Sequence, residues 1–433
     1  MTLEFDLAAL LALVLLNYWL WRSVLYPPFI FCFMWLFVLA TYRMDLIDVY
    51  PVHPDTLAIV IGGAAIFSLG GLFASLTPRP LLRLHLFPEP PEKRTTLIRN
   101  ILTVAVLCGV PLFFYEVVKI SEQGIGANLL MRARAAEVEA AQNGQQINSF
   151  LLDYFVIGST FIALMFATGK RDWKFRVVVV CAFIGCVLST GRTGLLLLIA
   201  GLCAVRLLRR HQERLWQALK SLRWPVIFFV ALYVALIFTN KNTKGIGGGV
   251  SGIASYYVLS YIVGPLAAFD AVVQAPGSFA LATSHVFEFP LKIAAAFHLL
   301  SYTAPPKLDA FVQVPFAANV YTVFKFYFLE LGVGGTITIL FIFGLLHSLL
   351  YLKAKQGGRL NTFLYAYSIY AVIMVVFDDA YYDVGVYLRA FLFGAVYLAL
   401  CTWSFHWFPR IRFRPLRILP NSRPDTPPLG NPS

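Results

Sequence analysis

The chain has 433 residues, 59% of them hydrophobic and 13% charged, with a formal net charge of +13 and a mean hydropathy of +0.72. Such a composition excludes an ordinary soluble domain. The positive charge calls for no nucleic acid, because basic loops that face anionic lipid account for it.

A helix crosses the hydrocarbon core of a bilayer with roughly 20 apolar residues. Stretches that read as spans fall near 7–22, 28–43, 56–76, 100–119, 148–168, 176–190, 194–208, 224–239, 332–352, 362–377 and 384–407. The fold class expected is therefore an all-α polytopic membrane protein with about eleven transmembrane helices. The first stretch lacks a basic leader and a small-residue cleavage site, so it reads as a retained span and not as a signal peptide.

Orientation follows from the basic clusters. Arg22, Arg79 to Arg99, Lys170 to Arg176, Arg206 to Arg223, Lys353 to Arg359 and Arg410 to Arg423 all fall on one face of the eleven-span arrangement. That face is expected to be cytoplasmic. The N-terminus is then external (periplasmic in a bacterium) and the C-terminus cytoplasmic. Residues 1–409 form the membrane domain. Residues 410–433 form a basic, proline-rich cytoplasmic tail that reads as disordered.

Three external segments carry the polar chemistry. Residues 120–147 have an alanine-rich middle that favours helix. A tight turn, Ser189-Thr190-Gly191-Arg192-Thr193-Gly194, joins two short spans. The long loop 240–331 opens on NKNTKGIGGG and continues through SYYVLSYIVGPLAAFDAVV, which reads as an interfacial or partly dipping segment. A connection of this length is functional by default. The six cysteines sit in or beside apolar spans with no CxxC pair, so neither a disulfide nor a metal site is indicated.

Several residues on that side could carry chemistry. Arg192, between Gly191 and Gly194, could clasp a phosphate through its planar fork, or simply snorkel to the interface. Arg132 and Arg134 run against the charge bias. They could bind a diphosphate, or Arg134 could pair with Glu137 at i,i+3. Lys241 and Lys244, beside glycines, read equally as a flexible phosphate clamp or an interfacial linker.

Glu330 is a lone carboxylate at the mouth of the 332–352 span. It could favour the helix start electrostatically, or orient or deprotonate a hydroxyl. Asp378, Asp379 and Asp383 form an acidic group that could bind a metal, act as a base or pair with Arg389. His285 and His298 lie too far apart to share a helical face. No serine-hydrolase elbow, HExxH or dinucleotide glycine run occurs.

The run from Asn319-Val320-Tyr321-Thr322 through Tyr327 and Glu330 into a glycine-rich span resembles the signature of bacterial oligosaccharide repeat unit polymerases, the Wzy-type O-antigen polymerases. STGRTGLLLL and SYIVGPLAAF are similar to further segments of that family, so the recognisable motifs cover about 180–350. Glu330 stands where those proteins usually have Asp, and Leu331 where Phe is common.

The resemblance implies a C-type glycosyltransferase-like helical bundle in the bacterial inner membrane. It would join undecaprenyl-diphosphate-linked oligosaccharides into O-antigen, capsule or exopolysaccharide at the periplasmic face, without cofactor or metal. Its partners would be the lipid bilayer, a chain-length regulator and a flippase. Arg192 and Glu330 would be catalytic. Arg132, Arg134, Lys241, Lys244, Asn319, Tyr321, Thr322, Tyr327 and Asp379 would bind substrate. An O-antigen ligase and a non-enzymatic transporter of lipid-linked glycan are the alternatives.

Overall fold

The computed structural model describes residues 3–78, 91–142, 150–189, 192–240, 249–275, 281–303, 309, 311–381 and 384–402. Among these are fourteen α-helices: α1 (Leu3–Trp21), α2 (Pro27–Arg43), α3 (Pro54–Ser75), α4 (Glu92–Ser121), α5 (Leu129–Gln142), α6 (Phe150–Thr168), α7 (Trp173–Leu188), α8 (Arg192–Arg210), α9 (Leu215–Asn240), α10 (Gly249–Gln274), α11 (Glu288–Ala296), α12 (Phe324–Lys355), α13 (Arg359–Met374) and α14 (Val384–Thr402). Seven of them, α1, α3, α4, α9, α10, α12 and α14, are long and apolar enough to cross a membrane, and α2 and part of α6 are shorter apolar helices. The architecture is all-α, which suits a membrane-crossing chain, since a helix satisfies its own backbone polar groups.

Local sequence explains where these helices start. Pro27 and Pro54 occupy first-turn positions of α2 and α3, where a missing N–H costs nothing. The Asp172 side chain accepts from Phe175 N–H and caps α7. α10 is longer than the expected interfacial segment. The segment predicted to be an interfacial piece is one continuous 26-residue helix with Pro265 inside it.

Buried polar contacts tie one end of the bundle together. Glu213, between α8 and α9, accepts from Ser23 Oγ at 2.8 Å and from the Tyr351 hydroxyl, with Lys355 Nζ at 3.5 Å. Arg99 donates to Asp172 Oδ1 at 2.5 Å and to Lys170 O at 2.9 Å, with its guanidinium 4.2 Å from the Phe166 ring centre. Arg209 donates to the carbonyls of Ala167 and Gly169. The α1–α2, α6–α7 and α8–α9 connections and the last turn of α12 thus share a basic end.

The core is built around α3 and α12, which run parallel in close contact. A Cβ at Gly70 would lie 2.2 Å from Phe341 O, and one at Gly344 would lie 2.1 Å from Phe67 O. Small residues let helix backbones approach this closely in lipid. Trp35, Phe67, Phe269, Phe324 and Leu340 fill the space around this seam.

Candidate functional site

The end of the bundle opposite the basic end is organised by a bend in α12. Gly332 has φ 65° and ψ −170°, a left-handed conformation that glycine adopts without the Cβ penalty. The bend folds residues 324–331 back along the following helix. Phe324 and Leu340 both reach the position of a Cβ on Gly63, and Tyr327 meets Phe343 edge-on at 5.6 Å between ring centres. In a straight helix, Phe324 and Leu340 would stand about 24 Å apart. Residues 324–331 therefore form an ascending arm, and the long helix descends beside it.

A short antiparallel hairpin leads into this arm, with Val312 opposite Ala318 and Gln313 opposite Ala317. Its Val314 and Ala318, with Tyr321, pack on Ala267 and Ala268 of α10, and Phe316 lies over Gly264. The chain then reaches the non-helical connection 375–381, where Val323 N–H donates to Val375 O at 2.9 Å. The ascending arm thus meets the α13–α14 connection inside the bundle.

Glu330 sits at the top of the ascending arm. Its carboxylate accepts from Ser284 Oγ at 2.5 Å, His285 N–H at 2.7 Å and Val286 N–H at 3.1 Å. The Tyr302 hydroxyl donates to Ser284 O at 2.9 Å, and the His285 ring stacks on Phe326 at 3.9 Å. One carboxylate therefore clamps a turn that lies far away in sequence. Burial lowers the His285 pKa below the ordinary histidine value.

Below this rim lies a buried cation that the sequence analysis did not single out. Lys325 is 8% exposed. Its ammonium pairs with Asp309 at 2.7 Å and sits 3.7 Å from the centre of the Tyr321 ring and 4.7 Å from that of Phe326. The available signal was a single lysine inside the aromatic run YTVFKFYF.

Several predicted site residues come together here. Tyr321, Thr322 and Tyr327 are buried and Asn319 is half-buried, so three of the four expected sugar contacts face inward. Asp379 is 1% exposed and accepts from Tyr381 N–H at 2.9 Å, and Tyr327 presents its hydroxyl to the same carboxyl. Burial pushes the Asp379 pKa up to about 7.

The other predicted residues stand apart. Arg132 is exposed on α5, which folds back on Phe113, Val117 and Ile120 of α4. Arg134 pairs with Glu137 at 3.2 Å, the i,i+3 alternative. Arg192 opens α8, but its side chain lies outside the described residues, as do Lys241, Lys244, Asp383 and the tail 410–433. A small apolar cavity of about 40 Å³ beneath the start of α8 is lined by Val156, Ile157, Thr160, Gly194, Leu197 and Tyr367. Among the described residues, no group of three or more His, Cys, Asp or Glu is placed to hold a metal ion.

Compared with protein-family models, curated proteins and solved structures, the chain finds no match in any of the three.

Proposed function

We propose that this protein is a membrane glycosyltransferase that joins oligosaccharide units carried on undecaprenyl diphosphate, at the outer face of the bacterial cytoplasmic membrane. In this reading eleven helices cross the bilayer, α10 lies along the outer face, and the basic end is cytoplasmic. One observation carries the reading. The Asn319-to-Glu330 run that bears the family resemblance is the segment that folds back into the bundle beside the buried Lys325–Asp309 pair.

Arg192 holds the departing diphosphate, whose developing charge a guanidinium can stabilise without a metal. Glu330, held by three donors on the 284–286 turn, orients the acceptor-binding loop. An O-antigen ligase would use the same chemistry, and the Asn-Val-Tyr-Thr run favours the polymerase.

A second reading has its own support. The break at Gly332 is an interrupted-helix feature of the kind that transporters use for midplane sites. Purified protein given synthetic undecaprenyl-diphosphate-linked repeat units separates the two. The enzyme yields longer glycans and free undecaprenyl diphosphate, and Arg192→Ala abolishes both. Translocation of the units in vesicles, with no new glycosidic bond, would replace the enzyme with the transporter.

A further inference from the structure

The Asp379 carboxyl group is placed where an ionised carboxylate is costly. Oδ1 accepts from Tyr381 N–H, whereas Oδ2 has no hydrogen-bond partner among the described residues. The titratable groups facing it come from every element packed around it. They are Tyr327 on the ascending arm, Asp378 and Tyr381 on its own connection, Tyr387 on α14 and, farther off, Glu330 at the rim. His347 on the descending helix meets Tyr381 edge-on at 5.2 Å. The nearby cation, Lys325, is engaged with Asp309 and acts on Asp378. No cation touches Asp379 among the described residues. A dry carboxylate without a counter-charge keeps its proton or draws in water.

The surroundings couple that choice to shape. Tyr381 stacks on Phe343 at 4.0 Å, and Tyr327 meets the same ring edge-on. The arm and the 375–381 connection are thus closed on each other around Phe343, about 16 Å down the helix from Gly332. Gly332 itself has no neighbouring atom within 4 Å of where a Cβ would stand, and the arm's other anchor is the Glu330 clamp on the 284–286 turn.

We propose that Asp379 is a proton-binding site whose occupancy holds the ascending arm of α12 closed on the 375–381 connection, and that release of the proton opens the seam to water. The ligand is a single proton, and no covalent bond other than the O–H is made or broken. The proposal goes beyond the assigned function, since it holds whether the protein polymerises or transports.

The sign follows from linkage. A carboxyl whose folded pKa is raised by burial stabilises the closed form fully below its unfolded value. That contribution is lost as pH rises through the folded value near 7.

Hydrogen–deuterium exchange of the full-length protein in nanodiscs, corrected for intrinsic rates, tests this directly. In the native protein, protection of 320–331 and 375–381 should fall between about pH 6 and 8. Asp379→Asn, which mimics the protonated group, should lose that transition and stay protected. Tyr327→Phe removes a hydroxyl that supports the carboxylate and should move the midpoint to higher pH. Infrared difference spectra should show a protonated-carboxyl band at pH 5 from which Asp379→Asn removes one component, leaving that of Asp378, whose pKa burial raises to about 6. An Asp379→Asn protein that keeps the native transition, or a native protein without that component, would overturn the proposal. Neither readout depends on glycan synthesis, so its failure is separate from failure of the enzyme reading.

Discussion

A lysine ammonium buried among aromatic rings costs several kcal/mol unless its charge is met. Lys325 meets that demand through Asp309 at 2.7 Å and the Tyr321 face at 3.7 Å. Removing one partner strands the other. Lys325→Met or Asp309→Asn should each destabilise the protein by about 3–5 kcal/mol. The Lys325→Met/Asp309→Leu pair should recover most of that loss. Thermal unfolding of the detergent-solubilised protein measures all three, and single variants that melt with the native protein would reduce the pair to ornament.

At this scale the sequence was legible only in part. Glu330 stood out as the lone acid before a span, but its partners Ser284, His285 and Val286 come from a distant segment. Lys325 was masked by the aromatic residues that flank it, and Asp309 gave no local sign of being its partner. Tyr321, Thr322 and Tyr327 read as ring and hydroxyl contacts for sugar. Periodicity cannot reveal that a fold-back turns them inward.

Helix contact in lipid depends on shape, because lipid tails are as apolar as the side chains they would replace. The α3–α12 seam illustrates this, since its closest approaches are to backbone oxygens, which cannot rotate away. Gly70→Leu or Gly344→Leu should push the helices apart at a cost of about 1–3 kcal/mol or more. Gly62→Ala, on α3 but with nothing within 4 Å of its Cβ position, should stay within about 0.5 kcal/mol of native. Thermal melting of the three variants checks the contrast, and equal melting points would show that the seam tolerates separation. The helices were the most legible level of the fold, for a physical reason. Each of the eleven stretches chosen for apolar length overlaps a helix, because lipid enforces both properties together. The fold-back at Gly332 was not legible. Gly332, Gly334 and Gly335 look alike in sequence, and only the first takes a left-handed backbone.

For the whole molecule, the open question of architecture is the course of α10. Its Gly252–Gln274 portion has the length and hydropathy of a span, so composition alone would count it as a crossing. Its contacts argue otherwise. Asp270, near its C-terminal end, accepts from His53 N–H at 2.9 Å and Thr56 Oγ1 at 2.6 Å, both at the start of α3. Tyr256, near its other end, packs on Phe316, and Gly264 packs on the same ring. Both halves of the helix therefore rest on the short hairpin that feeds the ascending arm. A helix lying along the outer face leaves its two flanking connections on the same side of the membrane. Alkaline phosphatase folds only where its disulfides can form, which in bacteria is the periplasm. In the proposed orientation, fusions placed in the α9–α10 connection and in the α11–α12 connection should therefore both be active, and one placed between α12 and α13 should be inactive. If α10 crossed the bilayer, the first two fusions would differ. The Ser284–Val286 turn that Glu330 clamps would then stand across the membrane from the α9–α10 connection.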